Sequence, residues 1–487
     1  MTTTKRTSPE AATVLSLPHA LTLIAQCLQS HLAASAFLLA LPPASLNAPL
    51  AATKELLTRP GPLAYTWPSL NLDGAILSAG NDIALYRAAL PVFVSVHATE
   101  VWHFGRLFAA DSTQAFIDFA TQWPLKLTHV TSEWRYQVGR DVFCDLLRRC
   151  TRLQSTDLVD DEDDTDVFAA ITTPNHRVHT ICIGEASSAA TDLASHVLPW
   201  LGSGHARSLT IECTVVEDEE VLARALATTS SVRSLGIHDH QELLDAFLEL
   251  ELPLHQLTHV ELRTYTPAAV APFLALLDLT SLTSLAISSA DDHADFFPLG
   301  RMPALRHLAS TGGHIGDGFA EASTWPDLES MHFKAIDFTP TAFATVLSYL
   351  GRAQGLRKMA FQQCKLADGW FVSVSRTLVR LINNGLAHAS FSEAGLDDTS
   401  LGHLAQTLRE GRNTTPLTLD LSHNCKVTIN GVRVLGEALA QCTDVRVMLY
   451  VADHQHMDEL QAFVATHRMA CGVDPNYFTF YSPTSIM

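Results

Sequence analysis

Two histidine pairs are the first residues in this 487-residue chain that could do chemistry. His238-Asp239-His240 and His454-Gln455-His456 have i, i+2 spacing, which on a strand puts both rings on one face. A closed zinc site needs a third and a fourth ligand, and nothing near either pair in sequence supplies them. Asp160-Asp161-Glu162-Asp163-Asp164, with Asp166, is the densest charge run. It lacks the mid-loop glycine and closing glutamate of a calcium loop, so it reads as a solvated loop, or else as a docking spot for a basic partner. Gly312-Gly313-His314-Ile315-Gly316-Asp317-Gly318 is rich in glycine, but no lysine follows to hold a phosphate. Nine cysteines, an odd number without a C-x-x-C pair, exclude a tidy disulfide framework and a zinc ribbon. They are expected as reduced, mostly buried thiols. The P-loop, zincin and nucleophile-elbow patterns are absent from the sequence. The residues therefore point away from an enzyme and call for no metal and no cofactor.

Composition narrows the partners. At 47% apolar and 17% charged residues, the chain is built to bury a core. A net charge of −19 argues against nucleic acid, whose phosphates need clustered Lys and Arg. The most apolar run, Leu32 to Leu41, is ended by Pro42-Pro43 well short of the roughly 20 residues of a membrane span. Lys5 and Arg6 could open a targeting peptide, but Pro9, Glu10 and Pro18 interrupt the apolar stretch that would follow. The expectation is a cytoplasmic protein, with the nucleus possible, that is monomeric apart from its protein partners and binds neither nucleic acid nor membrane.

The elements that must position any site come from an internal repeat. Segments of the form apolar-x-x-apolar-x-apolar recur, with central markers at Val130, Ile181, Leu209, Leu235, Val260, Leu285, Leu308, Met331, Met359, Leu419 and Met448. Weaker copies place Thr156 and Ala389 at the marker, and Leu70 and Val94 mark two earlier ones. From Val130 onward the spacing is 23 to 30 residues. Each unit is expected to give a short strand, a turn and a helix behind it, and no unit can bury its apolar face alone. Gly431 to Leu439, Thr341 to Leu350 and Phe371 to Ile382 carry apolar residues at helical spacing.

Leu417-Thr-Leu-Asp-Leu-Ser-His-Asn424, followed by Gly431 and its helix, resembles a ribonuclease-inhibitor-type leucine-rich repeat. Cys150-Thr-Arg-Leu153 and Cys442-Thr-Asp-Val445, each just before a strand, resemble the cysteine-containing repeats of F-box proteins. The resemblance covers about residues 63 to 470 and implies an α/β leucine-rich-repeat solenoid, a horseshoe of about fifteen units. Pro60-Gly61-Pro62 marks a boundary before it. Ahead of that boundary, Val14 to Leu28 looks like the opening of an F-box, with Leu17, Pro18, Leu21, Ile24 and Leu28 at matching places. Ala20 stands where that family often has an acid, and the later basic and Trp-containing part is absent. Residues 14–59 are therefore either an F-box-like helical module or a plain cap on the first repeat. Residues 1–13 are expected to be a disordered N-terminus, and 471–487 a tail.

By that resemblance, Leu17, Pro18, Leu21 and Ile24 would dock the adaptor of a cullin–RING ubiquitin ligase. The target would lie on the inner, concave face of the repeats. The residue before each marker there reads His129, Ser155, Thr180, Ser208, Ser234, His259, Ser284, His307, Ser330, Lys358, His388 and Thr418, with Val447 as the exception. Neighbouring columns add Glu261, Arg263, His332 and Lys334. The expected partner face is thus His259, Glu261, Arg263, His307, His332, Lys334 and Lys358, slightly basic within an acidic chain. Solubility of exposed strands is the competing explanation for these residues.

Overall fold

A computed structural model of the chain describes residues 18–59, 66–72, 83–98, 112–133, 140–159, 165–184, 193–212, 218–289, 301–316, 325–367, 369–449, 457–474 and 477–483. Leu17, the Pro60-Gly61-Pro62 boundary, Asp160 to Asp164, and His454 and His456 lie outside the described residues. Two compact units divide the chain, one up to Asp218 and one from Glu219.

The first unit opens with three helices, α1 (Pro18–Cys27), α2 (His31–Ala40) and α3 (Ala48–Thr58). Pro18 opens α1, where its missing N–H leaves no bond unmade. Asn47 caps α3 by accepting from the Leu50 N–H at 3.0 Å. Strands follow: β1 (Ser69–Leu72), β2 (Ser95–Ala98), β3 (Leu127–Glu133), β4 (Ser155–Val159), β5 (Thr180–Ile183) and β6 (Ser208–Glu212). Each pairs in parallel with the next, and a bulge in β3 shifts the register between β2 and β3. The second marker is Val96, which pairs with Leu70, rather than the expected Val94. Thr156, in line with Val130 and Ile181, sits at a core position with its side chain fully buried.

The second unit continues the pattern with β7 (Ser234–His238), β8 (His259–Thr264), β9 (Ser284–Ser289) and β10 (His307–Thr311). A short side pair, β11 (His314–Ile315) and β13 (Asp337–Phe338), flanks β12 (Ser330–Lys334). Then come β14 (Lys358–Gln362), β15 (His388–Ser390), β16 (Leu417–Asp420) and β17 (Val445–Leu449). The nine repeat strands of this unit pair in parallel in chain order. With the six of the first unit, the described residues carry the fifteen repeats of an α/β leucine-rich-repeat solenoid. The last marker is Val447, opposite Leu419, and not Met448. Residues 470–481, most of which were expected to be a tail, instead form β18 (Ala470–Asp474) and β19 (Tyr477–Tyr481). Strand β19 pairs antiparallel with both β17 and β18, which covers the open edge of β17.

Alternation places the core. Marker residues and those two positions on are buried, and helices seal that side. Phe343 of the helix Pro340–Leu350 meets Phe361 of β14 at 5.5 Å between ring centroids, and Phe371 of the helix Trp370–Asn383 meets Phe391 at 5.3 Å. Four residues past the marker the backbone turns left-handed in repeat after repeat, at Asp239, Gly312, Ala335, Gln363, Glu393 and His423. Gly312 is therefore the strand-ending turn of its unit rather than part of a phosphate loop. The buried Asn424 ties two repeats together: its amide donates to the Phe391 and Leu421 carbonyls, each at 2.9 Å, and its oxygen accepts from the Leu396 N–H at 3.0 Å.

Candidate protein-binding face

On each strand, the residue before the marker and the residues one and three past it point away from the helices. In the second unit the register aligns them in rows. The first row runs Ser234, His259, Ser284, His307, Ser330, Lys358, His388, Thr418 and Arg446. Arg446 belongs here because the last marker is Val447. The expected exception at Val447 disappears, since that side chain is fully buried. The second row carries Glu261, Ala286, Ala309, His332, Ala360, Ser390, Asp420 and Met448, and the third carries Arg263, Ser288, Thr311, Lys334 and Gln362.

All seven residues expected on the face lie in these rows. They divide by their partners. Arg263 donates from Nε to the Asp239 carboxylate, and Glu261 lies 3.2 Å from His238. The His238 imidazole, helped by Arg263, holds the Glu261 carboxyl below the usual carboxylate range. Part of the charge at this end of the face is thus already spent within the protein. His307 shares a 2.9 Å hydrogen bond with Ser330 and stands 4.0 Å from Glu329. Lys334 and Lys358 are exposed and carry no ion pair among the described residues. Partial burial, with His307 near, lowers the pKa of His259; burial likewise lowers that of His388, against the pull of Asp420. Both rings are neutral at pH 7.

A hydrogen-bonded chain crosses four strands beside these lysines. His332 Nε2 meets Gln362 Oε1 at 3.0 Å, Gln362 donates to Ser390 at 2.8 Å, and Ser390 donates to Asp420 at 3.1 Å. Gln362, Ser390, Asp420 and Arg446 were not singled out from the sequence. The column that found Lys334 also reaches Gln362, the column that found His332 reaches Ser390 and Asp420, and Arg446 needed the corrected register. In the first unit, His129 likewise precedes its marker: it bonds Ser155 at 2.7 Å, and its ring lies 5.9 Å from that of His97.

The other histidine pair expectation fails on geometry. Strand β7 ends at His238, and Asp239 is left-handed, so His240 does not share a strand face with His238. The His240 ring is buried and caps the helix Gln241–Glu249, its Nδ1 accepting from the Leu243 N–H at 3.3 Å. The described residues hold no group of three or more His, Cys, Asp or Glu placed to bind a metal. Cysteines are less uniformly buried than expected. Cys144, Cys150 and Cys364 are buried, while Cys27 and Cys425 are exposed. Burial pushes the Cys150 and Cys364 thiols up to about 12, which makes them poor nucleophiles.

At the N-terminal helices the expected docking residues part company. Leu21 is 0% exposed, so it packs inward with Ala25 and cannot touch an adaptor in this conformation. Ile24 is 37% exposed, and Pro18 is also at the surface. Leu23, Leu32 and Leu39 add to the apolar surface of α1 and α2. The inner side is fastened to the first repeats. Gln26 donates to the Val92 carbonyl at 2.9 Å, and the Trp67 indole donates to the Leu28 carbonyl at 2.7 Å. No helix among the described residues is long and apolar enough to cross a membrane.

No protein-family model matches the chain, and no curated protein does either. Among solved structures it is similar to the yeast Rad7–Elc1 complex, at 15% identity over 70% of this chain and 85% of that one, with a TM-score of 0.42. It is also similar to an internalin from Listeria monocytogenes, at 12% identity over 58% and 76%, TM-score 0.30. A third is TLR13 in complex with a single-stranded RNA, at 13% identity over 72% and 42%, TM-score 0.29.

Proposed function

We propose that this chain is a protein-interaction module that holds a partner on the strand face of its second unit. The observation that supports this is the first row. Every residue in it is a hydroxyl, an imidazole or a cation, and none is acidic. Acidic residues outnumber basic ones by 51 to 32 in the chain, so a row of nine solvent-facing positions selected only for solubility would carry acids. The test is capture of partners by the full chain and by a Lys334→Glu, Lys358→Glu variant. A partner held by the native chain and lost from the variant, with melting unchanged, supports the reading; equal recovery removes it.

A second reading concerns the N-terminus: that the helices both seal the first repeat and dock the adaptor of a cullin–RING ubiquitin ligase, making the chain an F-box-type substrate receptor. It is favoured by the split of α1 into a buried side, Leu21 and Ala25, and an exposed apolar side, Leu23 and Ile24. A plain cap is the alternative. Leu23→Asp with Ile24→Asp abolishes adaptor capture while the chain stays folded, if docking is real. No adaptor recovered by the native chain would leave only the cap.

A further inference from the structure

The spacing of the cationic and ionisable side chains on this face carries information about its occupant. His259, His307 and Lys358 stand in one row on alternate strands, β8, β10 and β14, with Ser284 and Ser330 between them. Neighbouring strands are about 4.8 Å apart, so the three anchors recur every ~9.6 Å. A chain in the polyproline II conformation advances about 3.1 Å per residue, so three of its residues span ~9.3 Å. The two repeats match to within about 0.3 Å per step. An ordinary strand, at about 3.3 Å per residue, covers ~9.9 Å in three residues, but its side chains alternate faces, so it presents groups to one side only in steps of two, ~6.6 Å apart.

The floor beside the row also suits an extended chain. Ala286 and Ala309 leave room for a backbone to approach. The serines between the anchors can donate to and accept from that backbone. Arg263 and Lys334, two positions further along their strands, border the far side.

We infer that the strand face takes an extended acidic segment running across the strands, with a carboxylate at every third residue meeting His259, His307 and Lys358. The inference rests on the proposed function, because it names what that face would hold. It also says more: an acidic segment with its charges clustered, or spaced by two, would reach one anchor at a time.

Fluorescence anisotropy with the full chain tests it, at low salt and pH 6, using three labelled peptides of equal length, the first two of equal charge. In one, Glu recurs after every two prolines; in the second, the same Glu residues are contiguous; the third has Gln for every Glu. The spaced peptide should bind at least tenfold tighter than the contiguous one, and the Gln peptide should not bind. Lys358→Glu should cost the spaced peptide at least tenfold, and His307→Ala severalfold, with melting unchanged. Equal binding of spaced and contiguous peptides overturns the inference, as does equal binding of a single-stranded oligonucleotide of the same charge. If no peptide binds yet a captured partner is still lost from Lys334→Glu, Lys358→Glu, the inference fails and the interaction face stands. If the captured partner is retained by that variant, the function reading fails with it.

Discussion

His240 shows how far one side chain can depart from what its type suggests. In sequence it is half of a metal-like pair; in the fold it is a helix cap with a buried ring. To accept from the Leu243 N–H, Nδ1 must be unprotonated, and burial lowers the pKa despite the pull of Glu242 and Glu219. The folded value lies below the unfolded one of about 6.5. The group's contribution to stability is therefore complete above pH 6.5 and is lost as pH falls through that value toward the lower folded one. Thermal melts of the native chain and of His240→Asn, from pH 7.5 to 5, check this. Asparagine can cap without titrating, so the variant should lose less stability across that range. His240→Ala should cost about 1 kcal/mol at pH 7.5, as lost caps do.

At the scale of elements, strand and helix were readable because periods of two and 3.6 leave different marks on apolar residues. The helices at Thr341 to Leu350, Phe371 to Ile382 and Gly431 to Leu439 fall within one or two residues of their expected limits. The errors in register have a physical cause. Around Val94 and Met448 the apolar residues are nearly continuous, so alternation cannot pick one phase. At β17 the one-residue slip turned an exposed Arg446 into an apparent core position and hid the last cation of the row. The C-terminal hairpin was missed because Ala470 to Tyr481 has no repeat spacing; its strands are held by pairing with β17 and not by a helix of their own. The left-handed turn that closes six of the strands is visible in sequence only where glycine occupies it. At Gly312 φ is +72°, and a Cβ would stand 2.1 Å from the Ser289 carbonyl oxygen. Gly312→Ala should therefore destabilise the second unit by about 2 kcal/mol or more, beyond the cost of the dihedral alone. Chemical denaturation measures it; a loss below about 0.5 kcal/mol would mean that the turn after β10 has slack against the end of β9.

For the whole molecule, the sequence carried the architecture and the polar rows, because repeats turn a one-dimensional spacing into a surface. Pairing within the face did not follow from spacing. Arg263 and Glu261 look like recognition charges in sequence, yet Asp239 and His238 hold them, since the left-handed turn after β7 points a carboxylate back at the face. That leaves Lys334 and Lys358 as the residues on which partner binding should turn. Their contacts are exposed and screened within about 10 Å at 0.1 M salt, so affinity should fall as salt rises. The seven lysines of the chain allow a direct test by acetylation footprinting with and without the captured partner. Lys334 and Lys358 should become protected, while the exposed Lys365 and Lys426 stay reactive. Unchanged acetylation of Lys334 and Lys358 in the complex, with protection elsewhere, would contradict the account and put the binding site off the strand face.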